Sequence, residues 1–271
     1  MAELISAYPP GIWLILLATG LVIGVLAGLL GVGGGVIAVP ILLEVFDALG
    51  MAEAPAISLA VGTAQATILV TSLTAATAHW RADTIDWSLV RNWTPSLIVG
   101  IAVGLILASC APVNLLTSLF AAAAAGLALK MAIGDRLVIT RTPPIGVLSH
   151  IAPIAVGGLA AAVGVGGGTL STPVLTLFSF PLKRAIGAGA LFNLVISLPA
   201  TIVFLNADHQ AEGRPVDALG DVALFCVAAL SIPALFVAPA AAGWSTRAPV
   251  ALLRRLFALC LAAIAARMVF R

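Results

Sequence analysis

The chain has 271 residues, of which 62% are hydrophobic and only 9% are charged. A soluble domain carries about a quarter charged residues, so this composition excludes a soluble globular protein and indicates a chain that crosses a membrane several times. The net charge of +2 identifies no partner, and the three cysteines have no CxxC spacing, so we expect no metal, no cofactor and no nucleic-acid partner.

The apolar segments form two groups of five that follow each other along the chain. The first group covers 11–31, 34–49, 56–79, 88–110 and 113–133. The second group covers 146–164, 167–182, 186–205, 220–243 and 252–270. A helix needs about 20 residues to span a bilayer, so the second segment of each group is short for a span. It either crosses as a thin or tilted piece or enters the membrane and returns.

The same glycine run precedes the short segment in both groups. The sequence Gly-Val-Gly-Gly-Gly occupies 31–35 and again 164–168, and a proline follows at Pro40 and at Pro173. Glycine is about 1 kcal/mol less favourable than alanine at each helical position, so four glycines in five residues predict a break in the helix. A broken backbone at membrane depth is tolerated only where protein or a water-filled cavity receives its polar groups.

The similarity of the two halves extends beyond the glycines, since Ala60-Val61-Gly62 matches Ala185-Ile186-Gly187. We therefore expect an all-α polytopic membrane protein built from two repeats of about five helical segments each. The first repeat covers 1–141 and the second covers 142–271. The glycine-broken short helices are expected near the midplane, where transporters with internal repeats bind their substrates.

The distribution of Lys and Arg favours an inverted relation between the repeats, because cytoplasmic loops of membrane proteins are enriched in these residues. If each short segment crosses, the second repeat is inverted and ten of the thirteen basic residues share one side. If each short segment re-enters, the repeats are parallel and the division is eight to five. The inverted arrangement puts both termini outside the cytoplasm. It predicts that Lys130 and His79 lie near helix ends at the membrane surface.

These motifs resemble those of the sulfite exporter family, TauE/SafE. In the first half the similarity rests on the glycine run, on Ala60-Val61-Gly62-Thr63 and on Ala78-His79 before Asp86-Trp87. In the second half it rests on the other glycine run, on 185–187, on Asn193 and on Ser197-Leu198-Pro199. The resemblance covers essentially the whole chain. It implies transport of sulfur oxyanions or organosulfonates across the inner (cytoplasmic) membrane, often outward.

The glycine runs are the predicted binding site for such an anion. Helix N-termini favour negative charge through their free N–H groups and the helix macrodipole. Glycines allow the backbone to approach a ligand closely. We predict that both runs present N–H groups to one anion, with a hydroxyl from the second half, through Gly33, Gly34, Gly35, Gly166, Gly167, Gly168 and Thr169. The alternative is that the glycines only allow close helix packing.

Polar side chains on the following helices are further predicted contacts. Thr63 and Gln65 follow the first run, and Asn193 follows the second. A buried primary amide needs hydrogen-bond partners, which favours Gln65 and Asn193 as ligand contacts. Threonines at helical spacing through 63–74 either line a pathway or donate to carbonyls four residues earlier. Glu44 is the predicted proton-coupling residue, with an interfacial acid as the alternative.

The sequence contains no Walker A, HExxH or GxSxG motif, so we expect a gradient-driven transporter and not an enzyme. The predicted function is secondary transport, in the direction of export, of sulfite or an organosulfonate such as sulfoacetate. The alternatives are a non-transporting membrane scaffold or assembly factor, and a passive anion channel. The expected partners are the small anion and the lipid bilayer. A homodimer is left open, because small exposed residues serve dimerisation and internal packing equally.

Overall fold

The computed structural model describes residues 8–110, 112–133, 148–207 and 213–269. Within these ranges the helices are α1 (Pro10–Leu30), α2 (Gly35–Ala48), α3 (Glu53–Arg81), α4 (Trp87–Cys110), α5 (Val113–Ile133), α6 (Leu148–Val163), α7 (Gly167–Leu177), α8 (Leu182–Leu205), α9 (Leu224–Arg247) and α10 (Val250–Val269). In the same ranges the strands are β1 (Ala218–Leu219) and β2 (Val222–Ala223), which pair antiparallel.

Among the described residues, five helices are long and apolar enough to cross a membrane, namely α1, α3, α4, α8 and α9. Helices α2 and α7 have only 14 and 11 residues, as expected for the segments that follow the glycine runs. Helix α7 ends five residues before its predicted limit, because Ser179 adopts a positive φ of 58° shortly before Pro181. The prediction of an all-α polytopic membrane protein is confirmed.

Glycines set the closest helix contacts. In α1, Gly20, Gly24 and Gly28 recur every fourth residue. A Cβ on any of these three would overlap with the backbone of α9, at Leu230, Ala234 and Ala238 respectively. Helix α4 approaches α6 in the same way through Gly100 and Gly104. Small residues at such spacing let helix backbones pack closely inside a membrane. In each pair, residue numbers rise together along the two helices from one contact to the next. Helix α1 therefore runs parallel to α9, and α4 runs parallel to α6.

The β-hairpin closes one end of the molecule, which we call the hairpin end. The Tyr8 hydroxyl, just before α1, donates to Asp217 Oδ1 at 2.9 Å. The hydroxyl of Ser58, near the start of α3, donates to Asp221 Oδ2. The end of α2 also lies here, since Gly50 follows it and its carbonyl oxygen is 3.1 Å from the Cβ position of Gly213. Helices α1, α3 and α9 therefore begin at the hairpin end, and α2 finishes there.

The opposite end, which we call the Asp86 end, is held by polar contacts between the two halves. Arg184, in the first turn of α8, lies 3.5 Å from the carboxylate of Asp86, which precedes α4. Lys183 donates to the carbonyl oxygen of Thr246, in the last turn of α9, at 2.6 Å. Helices α3 and α9 therefore end where α4 and α8 begin.

Two side chains predicted at the membrane surface are instead buried near the Asp86 end. Lys130 is 4% exposed, and its ammonium donates to the Thr176 hydroxyl of α7. His79 is 1% exposed, with Nε2 3.2 Å from the Gly28 carbonyl oxygen and Nδ1 3.0 Å from Thr84 Oγ1. Both lie in the last turn of their helix, but neither side chain is exposed, because α7 packs over the end of α5 and the last turn of α1 packs over the end of α3.

Candidate functional site

The first glycine run ends α1 and starts α2 in a new direction. Gly31 is the left-handed C-cap of α1, with φ at 64°, and its N–H donates to the Ala27 carbonyl at 3.0 Å. Gly33 and Gly34 also have positive φ, at 78° and 84°, and Gly34 is the N-cap of α2. L side chains rarely adopt this conformation, so the break depends on glycine. The predicted interruption of the helix is present.

The second glycine run breaks the chain between α6 and α7. Gly164 has a φ of 76°, and the N–H of Val165 donates back to the Ala160 carbonyl at 3.1 Å. Gly166 is the N-cap of α7 and has an extended conformation, with φ at −66° and ψ at 145°. Gly167 and Gly168 form the first turn of α7. The run therefore ends one helix and begins another over three residues.

The two breaks contact each other directly, and we call residues 31–35 and 164–168 the crossing. A Cβ on Gly168 would overlap with the carbonyl oxygen of Gly31, and one on Gly35 would overlap with that of Gly164. All ten residues of the crossing are buried. The glycines are therefore required for the close approach of two backbones.

Asn193 of α8 joins the two breaks with one amide group. Its Oδ1 accepts the N–H of Gly168 at 2.8 Å, and its Nδ2 donates to the carbonyl oxygen of Gly31 at 2.9 Å. Thr169 adds a second link, because its hydroxyl donates to the Val32 carbonyl at 3.2 Å. The structure therefore brings both predicted residues to the crossing.

The crossing lies near the middle of the two central helices. A Cβ on Gly33 would be 3.0 Å from Ile68 Cγ2 and 2.9 Å from the Asn193 amide. Ile68 is close to the midpoint of α3, which spans Glu53–Arg81, and Asn193 is close to the midpoint of α8, which spans Leu182–Leu205. The breaks therefore meet at mid-height between the hairpin end and the Asp86 end.

Gln65 is completely buried beside the last turn of α6. Its Nε2 is 3.2 Å from the Ala160 carbonyl oxygen and 3.3 Å from the Ala161 carbonyl oxygen. Its Oε1 has no hydrogen-bond partner among the described residues. Burying an amide oxygen without a donor costs about 1–3 kcal/mol, so this atom needs an explanation beyond packing.

Thr63 and Glu44 are not at the crossing. The Thr63 hydroxyl accepts the N–H of Ala223 at 2.9 Å, which ties it to the hairpin. Glu44 is exposed on α2, ten residues beyond Gly34, which is about 15 Å along a helix. Among the predicted contacts, Thr63 and Glu44 thus lie away from the two breaks.

The threonines of α3 use their hydroxyls mostly within the helix. Thr67 donates to the Thr63 carbonyl and Thr71 to the Thr67 carbonyl, each at 2.9 Å. Thr71 also lies 3.3 Å from the Gly33 carbonyl oxygen, so this threonine, which was not singled out as a contact, adjoins the first break. Its helical spacing from Thr67 and Thr74 was the sequence signal. Bonding to carbonyls of the preceding turn, one of the two alternatives for this stretch, is the arrangement present.

Helices α2 and α7 both begin at the crossing and run from it toward opposite ends of the molecule, so their N-termini meet there. Among the described hydrogen bonds, none is donated by the backbone N–H groups of Gly33, Gly34, Gly35, Val36 or Gly167. A helix N-terminus carries the equivalent of about half a positive charge. Two such termini at one buried point create an environment that favours an anion.

Comparison with known proteins identifies the family. The family model described as sulfite exporter TauE/SafE matches residues 16–268. The chain is 28% identical over 258 residues to a "Probable membrane transporter protein" of Haemophilus influenzae, covering 94% of this chain and 97% of the relative. A protein of the same description from Methanocaldococcus jannaschii is 25% identical, with 82% of each chain covered. No solved structure matches the chain. The protein therefore belongs to the sulfite exporter TauE/SafE family and is a multi-pass membrane transporter.

Proposed function

We propose that the protein is a secondary transporter that exports a small sulfur-containing anion bound between the two glycine breaks. The substrate class is sulfite or an organosulfonate such as sulfoacetate. The family description supports a sulfur oxyanion. One observation carries the proposal. The N-termini of α2 and α7 meet at the crossing, at mid-height, and N–H groups there are buried and donate no described hydrogen bond.

Binding at this point uses backbone dipoles and not a buried cation. A full positive charge in the middle of a membrane protein is costly, whereas helix N-termini supply partial charge without that cost. The proposed direct contacts are the N–H groups and polar side chains of the crossing, Gly33, Gly34, Gly35, Gly166, Gly167, Gly168, Thr169, Gln65 and Asn193. Thr63 is proposed to act nearer the hairpin end, and Glu44 to carry the coupled proton.

The proposed transport cycle requires the two halves, 1–141 and 142–271, to be inverted repeats. The helix directions support this relation, since α1 begins at the hairpin end whereas α6 runs parallel to α4, which begins at the Asp86 end. Alternate opening then follows if one helix group rocks against the other around the crossing. During such rocking the Asn193 amide would release one break while it holds the other.

The proposed membrane is the inner (cytoplasmic) one, with the Asp86 end in the cytoplasm. Lys183, Arg184 and the ammonium of Lys130 lie near that end, whereas Arg214 lies at the hairpin end. Excess Lys and Arg marks the cytoplasmic side of a membrane protein. Labelling of single cysteines placed at 216 and at 88 tests the orientation, with only the first expected to react from outside intact cells.

Flux of radiolabelled sulfite and sulfoacetate into proteoliposomes tests the transport proposal. The informative variant is Thr169→Val, because it keeps the side-chain volume and removes one donor at the crossing. The matched control is Thr77→Val, whose hydroxyl is exposed and bonds only to its own helix. We expect an affinity loss of about three- to tenfold for Thr169→Val alone.

Three other outcomes contradict the proposal in distinct ways. Equal flux in both threonine variants removes the crossing as the binding site. Flux that never saturates and never builds a gradient indicates a channel. A protein that is folded but neither binds nor moves either anion indicates a scaffold.

A further inference from the structure

The amide of Gln65 has a fixed orientation that leaves its oxygen unsatisfied. Rotating the amide by 180° would put Oε1 against the carbonyl oxygens of Ala160 and Ala161, which now accept from Nε2 at 3.2 and 3.3 Å. Two acceptors facing each other repel, so the nitrogen must face α6. The oxygen therefore points elsewhere, completely buried and without a donor among the described residues. It is ready to accept a hydrogen bond from a group outside the chain.

Gln65 lies on the face of α3 that contacts both glycine breaks. One turn before it, Val61 Cα is 3.0 Å from the Cβ position of Gly164. About one turn after it, Ile68 Cγ2 is 3.0 Å from the Cβ position of Gly33. Residues three and four apart lie on one helix face, so Gln65 stands between the two contacts. The unsatisfied oxygen is therefore at the level of the crossing.

We infer that Gln65 Oε1 accepts a hydrogen bond from the transported molecule, which is an organosulfonate carrying an ammonium or hydroxyl group at a distance from its sulfonate. This inference rests on the proposed function. A sulfonate has acceptor oxygens only, so it cannot satisfy Oε1. The N–H groups at the starts of α2 and α7 take the sulfonate, and Gln65 takes the donor at the other end of the molecule. Sulfoacetate, whose second group is a carboxylate, then binds through its sulfonate alone and more weakly than a sulfonate that carries a donor.

Four probes of similar size separate these possibilities in calorimetric titrations of the purified full chain. They are 2-aminoethanesulfonate, 2-hydroxyethanesulfonate, ethanesulfonate and sulfoacetate. We expect the first two to bind about tenfold or more tightly than ethanesulfonate, because only they can donate a hydrogen bond to Gln65 Oε1. Sulfoacetate should bind no better than ethanesulfonate, because its carboxylate faces an acceptor.

The variant Gln65→Met identifies the residue responsible, since methionine has nearly the same length and no hydrogen-bonding amide. The preference for the two donor-bearing probes should fall to within about twofold. The matched control is Ser231→Ala, which removes another buried oxygen without a partner, on α9. It should leave the preference unchanged.

The outcomes separate this inference from the proposal on which it rests. Equal affinity of the wild type for all four sulfonates overturns the inference, leaves the proposed function standing, and indicates that a water molecule satisfies Oε1. This comparison needs no variant, so it holds even if Gln65→Met does not fold. A preference that survives in folded Gln65→Met assigns the donor to another residue and overturns the inference. Failure of every sulfonate and of sulfite to bind overturns both.

Discussion

The two glycine runs have the same five residues but different backbone conformations. In the first run Gly31, Gly33 and Gly34 have positive φ, whereas in the second only Gly164 does. Helix α2 starts from a left-handed N-cap, and α7 starts from an extended one. An identical local sequence therefore permits both forms, and the surrounding structure selects between them.

The second half supplies polar side chains to the breaks at two positions where the first half has apolar residues. Asn193 caps the N–H of Gly168, and Thr169 donates to the opposite break. By the alignment of the two halves, the corresponding residues of the first half are Ile68 and Val36. Neither can accept or donate a hydrogen bond. The start of α7 is thus partly satisfied by the protein, through the N–H of Gly168, while the first turn of α2 has no such side-chain bond among the described residues.

The largest expected effect concerns the contact that the two breaks share. Gly168→Ala places a methyl group on the carbonyl oxygen of Gly31, and neither backbone can move without separating the breaks. We expect a loss of about 3 kcal/mol or more in the free energy of unfolding. Reversible unfolding of the detergent-purified protein measures it. Gly126→Ala on α5, where nothing lies within 4 Å of the new methyl, is the control. Equal stability of the two variants would show that the breaks do not touch.

The second effect tests whether polar capping distinguishes the breaks. Asn193→Leu removes two hydrogen bonds and leaves the N–H of Gly168 and the carbonyl of Gly31 buried without partners. We expect a loss of about 2–3 kcal/mol in the free energy of unfolding. Ile68→Leu changes the corresponding position of the first half without any hydrogen bond, and about 1 kcal/mol or less is expected. Similar losses from both substitutions would remove the distinction drawn above.

The third effect follows from backbone conformation alone. Gly34→Ala forces an L side chain into the left-handed region at φ 84° and also against Ile23. Gly167 is helical, and a methyl there overlaps with the terminal Cδ1 of Ile196, which can rotate away, and lies 3.1 Å from the Phe192 carbonyl oxygen, a tight contact but not an overlap. Left-handed backbone costs about 1–2 kcal/mol for a residue with a Cβ, so Gly34→Ala should be less stable than Gly167→Ala by about that amount. The same unfolding assay compares them. The reverse order would mean that the first run can adopt the conformation of the second.

The helices and the breaks could be predicted from the sequence because both follow from local composition. Apolar length predicts spans, and repeated glycines predict interruptions wherever the chain lies. The buried state of His79 and the bond from Thr63 to the hairpin could not be predicted, since both depend on distant segments. The strands 218–219 and 222–223 are too short to produce a pattern. The orientation of the Gln65 amide also could not be predicted, because it is set by two carbonyls almost a hundred residues away in the sequence.

The smallest expected effect is at the Asp86 end, where a carboxylate begins α4. Asp86 Oδ1 accepts the N–H of Leu89 at 3.1 Å and the hydroxyl of Ser88 at 2.8 Å. The bond from Leu89 is the largest cause that holds the pKa of Asp86 below its usual value. The bonds from Ser88 and the charge of Arg184 act in the same direction, and partial burial opposes them. At the hairpin end a carboxylate also bonds the start of a helix, since Asp217 Oδ2 accepts the N–H of Phe225, in the first turn of α9, at 2.7 Å. The lowered pKa of Asp86 predicts that the start of α4 depends on pH.

The sign of that dependence follows from the lowered pKa. Because the folded state holds the proton less tightly, Asp86 stabilises the fold at all pH values above its unfolded pKa near 4, and the contribution is lost as the pH falls through the lower folded value. Asp86→Asn keeps a capping oxygen but removes the charge, so it should cost about 0.5 kcal/mol at pH 7 and nothing in acid. Asp83→Asn, in the same exposed loop, is the matched control for removal of one negative charge. Unfolding measured from pH 7 down to pH 3 separates the two, and a constant difference between wild type and Asp86→Asn would mean that the carboxylate charge does not contribute.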